Sequence, residues 1–102
     1  MPMKKVARVE DVPSGAGKLV RTDNQVLALF NLDGTFYALD NRCTHMGGPL
    51  GEGAVDGTHV TCPWHGSVFD VTTGKVIKAP ARRPVATFRV QIEKGEVLVD
   101  LP

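Results

Sequence analysis

Alternation of apolar and polar positions is strongest at the two ends of the chain. Residues 4–9 alternate loosely and read as a strand, followed by a turn-rich loop over residues 10–17. Residues 18–21 and 25–31 are strand-like and joined by Thr22-Asp23-Asn24. Asp33-Gly34 separates the runs Val26-Leu27-Ala28-Leu29-Phe30 and Thr35-Phe36-Tyr37-Ala38-Leu39, which is a strong hairpin pattern. Toward the C-terminus Phe88, Val90 and Ile92 alternate with polar residues. Glu93-Lys94-Gly95-Glu96 then turns the chain, and Val97, Val99 and Leu101 alternate again, so a second hairpin is expected. No stretch carries a helical period. The expected fold class is all-β, with a small antiparallel barrel or sandwich as its base.

The middle of the chain departs from this pattern. Residues 41–84 are rich in Gly and Pro and show little sustained alternation. Short strands fit Val60-Thr61 and residues 67–71, with Asp56-Gly57 and Thr73-Gly74 as turns. A loop-rich segment of this length needs a staple, and a metal is one. The expected organisation is therefore one domain. Its base is 1–40 plus 85–102, and 41–84 is an inserted subdomain held by something other than an apolar core.

Composition narrows the classes. With 102 residues, 42% hydrophobic and 23% charged, the chain can fold as one modest domain and is not disordered in composition. A formal net charge of +1 argues against an ordinary nucleic-acid module. The longest apolar run, residues 26–30, is far below the roughly 20 residues of a membrane span. Met1-Pro2-Met3-Lys4-Lys5 lacks the apolar core of a secretory signal. A cytoplasmic protein without membrane or nucleic-acid partners is expected.

The candidate chemistry lies in the middle segment. Cys43-Thr44-His45 is followed, after 16 residues, by Cys62-Pro63-Trp64-His65. These are the only two cysteines and two of the three histidines. Gly47, Gly48 and Pro49 follow the first half and Gly66 the second, so each half can turn tightly and aim a thiolate and an imidazole at one point. A disulfide would be unusual in the implied compartment. A structural zinc fits two Cys and two His chemically, although the order Cys-x-His then Cys-x-x-His is not the common finger spacing. His59 reads as a solvated turn residue.

The motif resembles that of the Rieske iron–sulfur family. The likeness extends to His65-Gly66-Ser67-Val68-Phe69-Asp70, to Thr73-Gly74-Lys75 and to the proline-bearing Lys78-Ala79-Pro80-Ala81. The resemblance implies a Rieske fold with one [2Fe–2S] cluster, Cys43 and Cys62 holding one iron and His45 and His65 the other. It also implies that the loop around Pro80 covers the cluster. Ser67 would tune it, Trp64 would pack over it or form part of a docking face, with packing favoured, and Met46 would stand at its rim. Neutral imidazoles in place of two thiolates make the oxidised site less negative, which raises its potential within the known span of roughly −150 to +300 mV.

Respiratory-chain relatives carry an extra Cys in each ligand loop and a Tyr that donates to a ligand sulfur. Here those positions read Gly48, Trp64 and Phe69. The departures point to a soluble ferredoxin and to a potential on the order of −150 to 0 mV. The expected function is one-electron transfer from a reductase to a terminal oxygenase or similar partner, as a monomeric component of a dioxygenase system. No nicotinamide or flavin fingerprint is present, and His59 alone cannot build a mononuclear iron site, so no enzyme is expected. The alternatives are a small subunit of a larger reductase, of the nitrite reductase type, and a zinc-stapled interaction module.

Overall fold

Every regular segment except two short 3-10 turns is a strand, paired antiparallel, in a computed structural model that describes residues 3–22, 25–44 and 46–101. Asp23 and Asn24 of the expected connection, and His45 of the expected ligand set, lie outside the described residues. The strands are β1 (Met3–Arg8), β2 (Ala16–Arg21), β3 (Val26–Leu32), β4 (Thr35–Asp40), β5 (Ala54–Asp56), β6 (His59–Thr61), β7 (Val68–Asp70), β8 (Val76–Lys78), β9 (Thr87–Phe88), β10 (Val90–Glu93) and β11 (Glu96–Asp100). They form three sheets, ordered β1-β11-β10, β2-β3-β4-β9 and β5-β6-β7-β8.

Both expected hairpins form. Asp33 (φ 55°) and Gly34 (φ 93°) are both left-handed, as the twist-matching two-residue turn between β3 and β4 requires. Lys94 (φ 51°) and Gly95 (φ 77°) do the same between β10 and β11. The alternation through Phe88, Val90 and Ile92, however, belongs to two strands in two sheets. Phe88 in β9 pairs with Ala38, whereas Val90 in β10 pairs with Val99. β9 closes the middle sheet at a neck, where Leu39 faces Thr87 and the Asp40 N–H donates to the Ala86 carbonyl.

β3 explains the longest apolar run. Its side chains alternate between two separate cores. Ala28 and Phe30 face one that also contains Leu39, Cys43, Leu50, Val60, Cys62, Phe69, Val71, Ala81 and Val85. Leu27 and Leu29 face the other, with Val12, Ala38, Val97, Val99 and Leu101. A strand covered on both faces has no polar side, so its sequence reads as continuous rather than alternating. The first core corrects one expectation. The middle segment is held by apolar packing against β3 and β4, to which it contributes Leu50, Val60, Phe69 and Val71. Sequence patterning missed this because β5 to β8 are three residues each, too short to show a period.

His59 differs from its expected role as well. It opens β6, half-buried, and pairs with Asp70 of β7. Among the described residues no helix is long and apolar enough to cross a membrane.

Candidate metal centre

Cys43 and Cys62 stand at corresponding points of two loops with the same backbone plan. The Cys43 N–H donates to the Gly48 carbonyl, and the Cys43 carbonyl accepts from the Gly47 N–H, at 2.9 and 2.8 Å. The Cys62 N–H donates to the Ser67 carbonyl, and the Cys62 carbonyl accepts from the Gly66 N–H, at 2.7 and 3.2 Å. In both loops the glycine four residues past the cysteine has φ 78°, a left-handed conformation that costs other residues a steric penalty. The sequences Cys-Thr-His-Met-Gly and Cys-Pro-Trp-His-Gly therefore make one kind of turn, with His third in the first and fourth in the second.

The loops bring their cysteines together. Both are free and buried, with the Cys62 thiol against Cys43. Burial pushes the Cys62 thiol up first and the Cys43 neighbour adds to it, while backbone N–H groups of Trp64 and His65 aimed at the sulfur pull it down. The Cys62 sulfur, buried beside Cys43 and faced by N–H donors, is a site where a bound cation would compensate the cost of burying a thiolate.

Gly48 leaves the room for this. A Cβ there would meet the Cys62 Sγ at 2.5 Å and the Trp64 Cγ at 3.1 Å. Trp64 accordingly packs its base against Gly48 while the residue as a whole stays 57% exposed. Met46, in the first loop, is 62% exposed. His65 is exposed, and Pro80 is half-buried after a cis Ala79-Pro80 bond. Among the described residues no three His, Cys, Asp or Glu side chains converge, and the fourth expected ligand, His45, lies outside them.

Ser67 is fully buried and accepts the Ala81 N–H on its Oγ at 2.9 Å. A hydroxyl is also a donor, and among the described residues no acceptor takes this proton. An acceptor placed beside the two sulfurs would satisfy it, as a bridging sulfide can. Together with the paired thiols, the left-handed turns and the space at Gly48, this hydroxyl fits a cluster held through the two cysteine sulfurs.

Two neighbouring residues carried no sequence pattern of their own. The Asn41 Oδ1 accepts the Gly51 N–H at 2.7 Å and so braces the start of the first loop. Thr44 donates from Oγ1 to the Arg83 carbonyl at 2.7 Å. The only available hint of Thr44 was its place between two candidate ligands.

Comparison with known proteins agrees with this geometry. The family model described as Rieske [2Fe-2S] domain matches residues 3–89. The chain is 41% identical over 95 residues to the 3-phenylpropionate/cinnamic acid dioxygenase ferredoxin subunit of Escherichia coli K12, covering 92% of this chain and 89% of that one. Among solved structures, Sphingomonas yanoikuyae B1 ferredoxin superposes with a TM-score of 0.94 at 36% identity, covering 99% of this chain and 100% of the other. The structure titled as a complex of reduced oxygenase and oxidised ferredoxin in carbazole 1,9a-dioxygenase matches with a TM-score of 0.89 at 35% identity, over 95% of this chain and 91% of that one. On the strength of that match across most of its length, the chain belongs to the Rieske [2Fe-2S] domain family.

Proposed function

We propose that Cys43, His45, Cys62 and His65 hold one [2Fe–2S] cluster per chain, the cysteines on one iron and the histidines on the other. Residues 41–84 would form its binding subdomain on a base of 1–40 and 85–102. The single observation that carries this reading is the matched pair of cysteine loops, whose buried sulfurs meet. The cluster, when bound, supplies reversible storage of one electron. The chain's own groups do the rest. Trp64 and His65 N–H groups favour charge on the Cys62 sulfur. Ser67 offers its proton to added negative charge, and Phe69 in place of a Tyr offers none.

The protein is an electron carrier of the ferredoxin type and not itself an enzyme. In this reading it accepts an electron from a reductase and delivers it to the oxygenase of a dioxygenase system, in the cytoplasm and as a monomer. Exposed Met46 and Trp64 would form the apolar centre of the contact. The stretches 41–51, 62–68 and 78–84 contain Arg42, Lys78, Arg82 and Arg83 but no Asp or Glu, so an acidic patch on the partner is the complementary surface.

The test is anaerobic reconstitution with iron and sulfide, followed by metal analysis and electron paramagnetic resonance of the reduced protein. The expected result is two irons per chain and a mixed sulfur/nitrogen [2Fe–2S] spectrum. Cys62→Ser should abolish both. A Cys62→Ser protein with the full spectrum, or a colourless protein loaded with zinc, would refute the ligand assignment. Size-exclusion chromatography separates a shuttle from a subunit, because a subunit would elute with its larger partner.

A further inference from the structure

The packing that holds residues 41–84 is built from the chain's own side chains. Leu50, Val60, Phe69 and Val71 share a core with Phe30 of β3 and Leu39 of β4, and Cys43 and Cys62 belong to that same core. Each cysteine loop also closes on itself through backbone bonds, Cys43 with Gly47 and Gly48, and Cys62 with Gly66 and Ser67. Gly48 links the two loops. Its carbonyl accepts the Cys43 N–H at 2.9 Å, and a Cβ on it would lie 2.5 Å from the Cys62 Sγ. The two sulfurs thus lie against each other by virtue of the fold, both as free thiols, and the chain has no other cysteine.

The surroundings of the two thiols differ. Cys43 lines, with Met46 and Arg83, an open depression of about 460 Å³. Cys62 does not line it, and its sulfur lies behind Gly48, against which the base of Trp64 packs. A small oxidant dissolved in the depression therefore meets Cys43 first.

We propose that, in the chain without its cluster, Cys43 and Cys62 are a reversible redox pair in which a peroxide oxidises Cys43 and Cys62 resolves it to an intrachain disulfide. The proposal rests on the ligand assignment above, because a bound cluster occupies both sulfurs. The Cys43 sulfur attacks one oxygen of hydrogen peroxide. The O–O bond breaks, a sulfenic acid forms, and the other oxygen leaves as water with the Cys43 proton. The Cys62 sulfur then attacks the Cys43 sulfur. The S–O bond breaks, the S–S bond forms at about 2.05 Å, and the hydroxyl leaves as water with the Cys62 proton. Two thiols lose two electrons and one peroxide becomes two waters. A reductant reverses the change, and the irreversible sulfinic acid is avoided. While the disulfide lasts, the site has no thiolate to offer a metal. A transient disulfide of this kind suits a reducing compartment, where lasting ones are rare.

The test uses the full chain freed of its cluster without oxygen and treated with an equimolar amount of hydrogen peroxide. Non-reducing mass spectrometry should show an intact monomer lighter by two hydrogens. Uptake of cobalt(II), read by its thiolate charge-transfer absorbance, should fall by roughly tenfold or more, and a phosphine reductant should restore it. With Cys62→Ser, dimedone should trap the sulfenic acid at Cys43, whereas with Cys43→Ser trapping at Cys62 should be roughly fivefold slower or more. In guanidinium chloride, where the loops no longer hold the sulfurs together, dimedone should capture roughly tenfold more of the wild-type sulfenic acid than in native buffer. Dimeric or over-oxidised products, cobalt uptake that survives oxidation, faster trapping at Cys62, or equal capture in native buffer and denaturant overturns the redox pair. The cluster-loaded protein should keep both sulfurs unoxidised while its colour persists, and a disulfide in a fully coloured protein refutes the ligand assignment instead.

Discussion

Ser67 and Gly48 both border Cys62, Ser67 through a backbone bond to its N–H and Gly48 through the space it leaves for its sulfur. Ser67→Ala removes the one buried side-chain hydroxyl in this site and should lower the potential by about 20–60 mV, the electrical equivalent of one modest hydrogen bond, as voltammetry of the loaded protein would record. An unchanged potential would mean that the proton points elsewhere. Gly48→Ala places a carbon 2.5 Å from the Cys62 Sγ, so the expected outcome is reduced cluster occupancy and a loss of about 1–3 kcal/mol in thermal unfolding. Gly34→Ala is the informative contrast. No atom lies within 4 Å of a Cβ at that position, and only the left-handed φ of 93° opposes the change. It should cost about 1–2 kcal/mol and leave occupancy and spectrum untouched. The candidate ligands stood out in the sequence because Cys and His are scarce in this chain and clustered. The space at Gly48 was not, because a glycine between Gly47 and Pro49 reads as one more turn residue until its neighbours are known.

Among the elements, the β7–β8 hairpin carries the clearest pH dependence. The Asp70 carboxylate caps its turn, accepting both the Thr72 hydroxyl and the Thr72 N–H on Oδ1, at 2.6 and 2.8 Å. The Thr72 hydroxyl bond is the main reason its carboxyl is held below the ordinary value, against some opposing burial, and the charge of His59 across the sheet adds a smaller push. A depressed folded pKa gives stability that is complete above the unfolded value of roughly 3.9 and fades as pH falls through the lower folded value. Asp70→Asn should therefore lower the melting temperature near neutrality, and its gap to the wild type should narrow below about pH 3. Because the turn is open to solvent, the neutral-pH loss should stay at or below about 1 kcal/mol. A gap that is constant from pH 7 to pH 2 would contradict the assignment. This hairpin also marks the limit of pattern reading. Thr73-Gly74 announced its turn, but Val76–Lys78 offered too few positions to reveal a strand, and His59 looked like a turn residue beside Gly57. At the other end, Phe88 and Val90 kept perfect alternation while the chain changed sheets between them. Side-chain period reports which residues are inward, and it does not say which sheet they are inward of.

At the scale of the whole molecule, charge and packing make separate statements. The candidate ligand loops and the 79–84 segment contribute Arg42, Arg82 and Arg83, with Asp40 the carboxylate that shares a depression with Arg42 and Arg83, although the chain as a whole carries only +1. Reversing Arg82 and Arg83 to Glu should slow association with an oxygenase or reductase partner by tenfold or more at low salt, and the difference should shrink above about 0.3 M salt. Stopped-flow electron transfer measures this, and equal rates at low salt would remove the basic patch from the docking surface. Packing adds a different consequence. β3 is a party wall between the two cores, and Cys43 and Cys62 are bricks of one of them. Loss of the metal would thus not peel off a separable cap but weaken one side of a strand on which the other side also leans. Colour and backbone signals should consequently disappear together on heating, in one cooperative transition, so that the visible absorbance of the loaded protein serves as a gauge of its entire fold.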